Sequence, residues 1–314
     1  MAVVPFFKPT QQDSRLRFKN LLLATDLTEA STEAETYALR LAQSLGSHLL
    51  VLHVEPASTH RSTALESTEP NDLKQKIASL DEFFRTSGVP FNLRTERGEV
   101  HSVLTKVAGQ HSIDLIILGS HGRQGVSYLF TGSLAEDVTR SAACPVITVG
   151  PHAQAGLENL VSTIVYATDF SEESKLALPY ATSLAQEFQA SLTVCHVAPK
   201  AGRLVSGQEQ VEAYLFSRLK SLAPKSQFPW CTVNYVVAFG DPAAEILNIA
   251  KEGRGDLIVL GLHTSVRYTS HLPERLSYKI LCEARSPVLS ILPGPREMKL
   301  AKSPADYAGA IHVC

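Results

Sequence analysis

The sequence has few cysteines, no long apolar run and no excess of charge of either sign. None of its five cysteines forms a Cys-x-x-Cys pair or has a zinc-ligand spacing, which argues against a disulfide framework and a zinc site and favours reduced thiols. No apolar run approaches the roughly 20 residues of a membrane-spanning helix, and the N-terminus lacks the features of a signal peptide. These absences predict a cytoplasmic protein that does not contact a membrane.

The overall composition is that of an ordinary globular protein. The chain has 29 Lys and Arg residues against 31 Asp and Glu residues, and its net charge is −2. Such a balance gives no indication of a surface that binds nucleic acid or a membrane, and we expect neither as a partner. Its 314 residues, 44% of them hydrophobic, are more than one core usually holds, so we expect two domains.

An internal repeat supports the expectation of two domains. Four apolar segments in the first half recur in the second half at an offset of 142 or 143 residues, among them DLIILG (114–119) and DLIVLG (256–261). A constant offset is typical of two copies of one domain. The predicted parts are a mobile N-terminal segment (1–17), domain 1 (18–151), a linker (152–159), domain 2 (160–294) and a C-terminal tail (295–314).

Strands and helices alternate within each copy. Short apolar runs such as NLLLATD (20–26) predict buried strands, and apolar residues at helical spacing between positions 37 and 45 predict an intervening helix. This alternation predicts an α/β fold. We expect two tandem Rossmann-like domains, each with an open, doubly wound, five-stranded parallel sheet.

In such sheets ligands bind at the carboxyl ends of the strands. Asp26 ends the first strand of copy one, Val54 the second and Gly119 the fourth. Asp26 could accept a hydrogen bond from a ribose or an adenine, or hold a metal ion through water. It could equally be a turn residue, since Asp169 has the same place in copy two. His53 and His196, within apolar strands, are interpreted as core residues, whereas a phosphate contact from His121 stays open.

A glycine-rich loop, GSHGRQGVSYLFTGS (119–133), follows the fourth strand. Glycines allow a ligand to approach the backbone, and the helix start at Gly132 and Ser133 offers unpaired N–H groups to an anion. Arg123 could add positive charge. A flexible, capped loop is the alternative, but the position at the predicted ligand edge favours a phosphate site.

These segments resemble the universal stress protein family in its tandem form, over residues 20–293. The resemblance is based on the segments ATDLTEAS, LHV, DLIILGSHGRQG, FTGS and CPVITV. The family's nucleotide motif, G-x-x-G followed after nine residues by G-S, is complete in copy one. The resemblance implies ATP binding, with Mg²⁺ or Mn²⁺ on the phosphates. It implies that the nucleotide lies on Ala24, Thr25, Asp26, Val54, Gly119, Gly122, Arg123, Gly132, Ser133 and Leu134.

The resemblance also bears on assembly. Many family members are dimers, and in tandem members the two domains pair within one chain. We therefore expect intrachain pairing, and leave open a homodimer and an unidentified protein partner.

Copy two departs from the family motif. At its equivalent positions stand Thr264 for Gly122, Glu274 for Gly132 and Arg275 for Ser133. A carboxylate at the helix start would repel a phosphate, so we expect ATP in domain 1 only.

The sequence offers no evident catalytic residue. It contains no Walker A motif, no G-x-G-x-x-G, no H-E-x-x-H and no nucleophile elbow. The favoured hypothesis is an ATP-binding stress-response or signalling module. A slow ATPase or nucleotidyl-transfer enzyme and a scaffold without nucleotide are the alternatives.

Overall fold

The computed structural model describes residues 16–56, 70–119, 138–139, 142–150, 152–153, 160–200, 208–262 and 273–292. The described part of the first copy contains five strands and three helices in alternation. Their bounds are β1 Asn20–Thr25, α1 Thr32–Leu45, β2 His48–Pro56, α2 Pro70–Thr86, β3 Phe91–Gly98, α3 Val100–Gln110, β4 Leu115–Gly119 and β5 Val146–Val149. The sequence predicts the third strand over FNLRTERG (91–98) and the third helix over 100–110, and both agree with the structure residue for residue.

The described part of the second copy repeats this order. Its bounds are β6 Thr163–Ala167, α4 Glu172–Leu176, α5 Leu178–Phe188, β7 Ser191–Ala198, α6 Gln208–Leu222, β8 Val233–Phe239, α7 Pro242–Glu252, β9 Leu257–Gly261, α8 Pro273–Glu283 and β10 Val288–Ile291. Two helices, α4 and α5, take the place of α1. Pro179 explains the break, because proline has no N–H for the helical ladder and belongs in a first turn, which is its position in α5.

The ten strands form one sheet in the order β3-β2-β1-β4-β5-β10-β9-β6-β7-β8. Within each copy all the pairs are parallel, and the first strand lies between the second and the fourth. This order confirms the doubly wound fold. The two five-stranded sheets join through an antiparallel pair of their fifth strands, in which Leu289 lies opposite Ile147.

The hydrophobic core differs between the two faces of this sheet. On the face covered by α1, α2, α5 and α6, a single cluster of buried side chains runs through both copies and includes Tyr37, Ile147, Tyr166 and Leu289. On the opposite face each copy has a cluster of its own. The shared cluster holds the copies together by burial of apolar surface. No described helix has the length and hydrophobicity to span a bilayer.

Candidate functional site

The carboxyl ends of β2, β1 and β4 form the edge where a ligand is expected in the first copy. Thr25 ends β1 and lies opposite His53 of β2, and Ala24 lies opposite Leu118 of β4. Of the predicted site residues, Ala24, Thr25, Asp26, Val54 and Gly119 therefore share one edge of three adjacent strands. Strand order reverses between β1 and β4, and such a reversal opens a crevice.

The second half of the predicted site lies outside the described residues. Gly122, Arg123, Gly132, Ser133 and Leu134 belong to this half. The phosphate cradle that these residues would form stays a prediction. His121 and, in copy two, Thr264 also lie outside the described residues, and the side chains of Glu274 and Arg275 are not described.

Thr25 is held by contacts within the protein. Its buried hydroxyl donates to Oε1 of Glu35 at 2.6 Å and accepts from the Leu27 N–H at 3.1 Å. Burial raises the pKa of Glu35, and the hydrogen bond from Thr25 opposes this rise. The Thr25 side chain therefore shapes the turn after β1.

The Asp26 carboxylate is exposed, and one of its oxygens organises the same turn. Oδ1 accepts from the Thr28 N–H at 3.1 Å, the Thr28 hydroxyl at 2.7 Å and the Ser31 hydroxyl at 2.5 Å. Asp169 does the same in copy two, where Oδ1 accepts from Ser171. The turn role foreseen for these residues is present in both copies. A ligand contact from Asp26 would have to use Oδ2, and it stays a prediction.

The two histidines, expected to be core residues, are half-buried, and each makes a hydrogen bond to the backbone of a neighbouring strand end. Nδ1 of His53 lies 2.9 Å from the Thr25 carbonyl oxygen, and Nδ1 of His196 lies 2.8 Å from that of Thr168. A carbonyl only accepts, so Nδ1 carries the proton in each ring and donates it. Each histidine thereby ties the end of a second strand to that of a first strand.

Gly119 and Gly261 end equivalent strands, yet their surroundings differ. A Cβ atom on Gly119 would meet the Ala30 carbonyl oxygen at 3.7 Å and the Ala34 Cβ at 3.8 Å, which are ordinary contacts. A Cβ atom on Gly261 would lie 2.4 Å from the Glu173 carbonyl oxygen and closer than any real contact to the α4 backbone. A Cβ atom therefore fits beside the end of β4, whereas the α4 backbone leaves no room for one beside the end of β9.

Copy two also has a cluster of two aromatic rings and an arginine, which the sequence alone did not reveal. The Phe170 ring lies 4.6 Å from the His196 ring, and the Arg218 guanidinium lies 4.1 Å above Phe170. Copy one has Leu27 in place of Phe170. The substitution of leucine by phenylalanine was visible in the sequence, but the arginine comes from α6 and could be placed only by the fold. Ser31 and Glu35 were missed for the same reason.

Within the described ranges, no group of three His, Cys, Asp or Glu side chains is arranged to hold a metal ion. Burial raises the pKa of the Cys144 and Cys195 thiols to about 12. Thiols with such pKa values are inert as nucleophiles at neutral pH. At the carboxyl ends of β1, β2 and β4, the described residues could therefore interact with a ligand through hydrogen bonds and through contacts with the backbone.

Comparisons with known proteins agree with this architecture. The universal stress protein family model matches residues 17–150 and 161–290. A universal stress protein of Mycolicibacterium smegmatis is 24% identical over 87% of this chain and 97% of its own length. Universal stress protein A homolog 1 of Coxiella burnetii is 33% identical over 43% of this chain and 97% of its own length.

A solved structure extends the likeness to the whole fold. The crystal structure of a universal stress protein from Archaeoglobus fulgidus has a TM-score of 0.65 and 18% identity, and the match covers 90% of this chain and all of that one. At this identity the solved structure shows a common fold. The family itself is shown by the family model, which matches both copies of the repeat. The chain therefore belongs to the universal stress protein family, as a tandem member with two copies of the domain.

Proposed function

We propose that domain 1 binds ATP at the crevice between β1 and β4, that domain 2 does not, and that the chain is a cytoplasmic stress-response or signalling module. The observation that carries this proposal is the difference between Gly119 and Gly261. Nothing within the described protein requires a glycine at position 119, because a Cβ atom would fit there. A ligand that lies against the backbone would require it.

The described edge suits the nucleoside part of the ligand. The backbones of Ala24 and Thr25, the half-buried Val54 and the exposed Asp26 line up at the carboxyl ends of neighbouring strands. Gly119 would face the ribose. The loop residues Gly122, Arg123, Gly132, Ser133 and Leu134 would hold the phosphates through backbone N–H groups at a helix start.

A divalent cation would be held mainly by the phosphates in this arrangement. Oδ1 of Asp26 already accepts three hydrogen bonds, so that oxygen is a poor direct ligand. Asp26 would reach Mg²⁺ or Mn²⁺ through Oδ2 and a water molecule, which is a common arrangement for Mg²⁺. The cation would neutralise the charge of the phosphates.

The cytoplasmic location rests on the cysteines. Within the described residues, Cys144, Cys195 and Cys231 form no disulfide. Free thiols suit a reducing compartment.

Calorimetry and native mass spectrometry with ATP test the proposal through stoichiometry. We expect one ATP per chain, and we expect Gly132→Glu to abolish binding because it introduces the carboxylate that copy two has at position 274. Glu274→Gly is the matched control and should leave the stoichiometry at one. Two ATP per chain would overturn the assignment of domain 2, and none would favour a scaffold. Repeated turnover of ATP that Asp26→Ala abolishes would favour an enzyme.

A further inference from the structure

The two outer strands of the ten-stranded sheet, β3 and β8, occupy equivalent positions in the two copies. They differ in how well their side chains protect them from pairing with a strand of another chain. They align at an offset of 142, and an acidic residue caps the following helix in each copy, Glu99 before α3 and Asp241 before α7. Because the strands are equivalent, each residue of β8 can be compared with its counterpart in β3.

Charged side chains protect the β3 edge. Arg94 and Glu96 form an ion pair of 2.6 Å along the strand, and Arg97 pairs with Glu55 of β2 at the same distance. Charges on an outer strand prevent another chain from pairing with it, because their burial would be costly. This edge of the sheet is therefore closed to pairing.

The β8 edge has lost all of these charges. Val236, Ala238 and Phe239 stand where β3 has Arg94, Glu96 and Arg97, and the strand reads VNYVVAF. Its residues from 235 to 239 are half-buried. A long, uncharged, apolar outer strand is a surface on which another strand can pair.

The hydrogen-bonding direction of β8 follows from its two ends. The Thr232 carbonyl oxygen accepts from Leu192, and the Gly240 N–H donates to Ala198, so even-numbered residues face β7. Alternate residues of a strand direct their N–H and C=O groups to opposite sides. The outward groups of β8 are those of Val233, Tyr235, Val237 and Phe239, and within the described part of the chain no strand pairs with them.

We propose that a second copy of this chain pairs with β8, strand against strand in antiparallel orientation, to form a twofold dimer. In the register centred on Val236, Val233 lies opposite Phe239 of the other copy and Tyr235 lies opposite Val237, so every outward backbone group is used. Val236 then faces Val236, and Tyr235 faces a β-branched residue, which is a favourable cross-strand pair. The strand is complementary to itself.

Two further features of the chain support a second copy as the occupant. The chain already joins equivalent outer strands of its two domains, β5 and β10, in antiparallel orientation. Three of the five large apolar side chains that are exposed within the described residues also lie near this edge: Val211 and Tyr214 on α6, which packs on β8, and Trp230 shortly before β8. Because β3 is charged, β8 of one copy cannot continue onto β3 of another, and the assembly closes as a dimer.

Sedimentation and native mass spectrometry of the full chain test this proposal. We expect the wild type to have twice the mass of the chain. The triple variant Val236→Arg, Ala238→Glu, Phe239→Arg copies the charges of β3 and places two arginines opposite each other. We expect it to weaken the dimer by at least about a hundred-fold. ATP stoichiometry should not change.

Two more variants keep the test decisive. Val237→Pro removes an outward N–H without touching the bonds to β7, so it should also give single chains, even where the triple variant fails to fold. The reverse variant Arg94→Val, Glu96→Ala, Arg97→Phe removes the charges of β3, and it should produce assemblies larger than a dimer. A wild type with the mass of a single chain, or a dimer that survives Val237→Pro, would overturn the proposal.

Discussion

Alanine substitutions at Gly119 and Gly261 compare the two crevices directly. Both glycines end equivalent strands, and the φ of neither lies in the left-handed region that disfavours alanine. The added atom is the same methyl group in each protein. Any difference between the two variants therefore reports the space beside each strand, and not the conformational preference of the backbone.

The structure gives opposite expectations for the two sites. The Cβ atom of Gly261→Ala would lie within 2.5 Å of Ser174 Cα and closer still to the Glu173 carbonyl oxygen, so α4 must move. Overpacking of this kind costs about 1–3 kcal/mol, and at roughly 2–4 °C for each kcal/mol this lowers the Tm by about 2–12 °C. Gly119→Ala makes only ordinary contacts, and we expect its unfolding free energy to change by less than about 0.5 kcal/mol.

Denaturant unfolding without nucleotide measures both variants. Trp230, the single tryptophan of the chain, lies in the second copy, so its fluorescence reports the unfolding of domain 2. Circular dichroism reports both domains. In calorimetry, Gly119→Ala should weaken ATP binding by about tenfold, and Gly261→Ala should leave it unchanged. Equal destabilisation by the two variants would refute the difference between the crevices, and unchanged ATP affinity in Gly119→Ala would refute the contact with the ligand.

Three other measurements follow from the structure. The Tyr166 hydroxyl donates to the Ser174 carbonyl oxygen at 2.8 Å, whereas the buried Tyr37 hydroxyl has no hydrogen-bond partner among the described residues. In thermal unfolding, Tyr166→Phe should therefore lower the free energy of unfolding by about 1 kcal/mol, and Tyr37→Phe should leave it unchanged or raise it. Burial raises the pKa of Glu35 in the folded state above its unfolded value, so its ionisation lowers stability as pH rises from about 4.5 through the folded pKa; Glu35→Gln should remove this decline in a series of melts against pH. The Cys195 thiol, with a pKa of about 12, should react with a thiol reagent at pH 8 only after unfolding. Peptide mass spectrometry identifies the labelled cysteine, and rapid labelling of Cys195 in the native protein would contradict its burial.

The sequence predicted the fold well because the relevant signals are local. Apolar runs such as 115–118 are buried on both faces in the structure, and such runs, alternating with helices, specify a parallel sheet. The repeat predicted two domains. It could not predict that the domains share a sheet, because the pairing of β5 with β10 depends on two strands that are far apart in sequence and carry no mark of their partner.

The candidate site was predicted less completely. The sequence placed Asp26, Val54 and Gly119 at strand ends, and in the structure Gly119 ends β4, Asp26 directly follows β1, and Val54 lies two residues before the end of β2. Their contact with a ligand stays a prediction. The close approach of α4 to Gly261 was not predicted. That contact comes from the path of the chain after β6 and from the approach of the Glu173 backbone to Gly261, and residue types do not reveal backbone paths.

The two surfaces that distinguish the copies should act independently of each other. Gly119 lies on β4, six strands away from β8 in the sheet, so about 29 Å separates them at roughly 4.8 Å per strand. Substitutions more than about 10 Å apart with no shared partners usually have additive effects. A protein that combines Gly119→Ala with Val237→Pro should therefore show the ATP affinity of the first variant and the single-chain mass of the second. If ATP instead shifts the dimer equilibrium of the wild type, the two surfaces are coupled, and by thermodynamic linkage the dimer must bind ATP with a different affinity from the single chain.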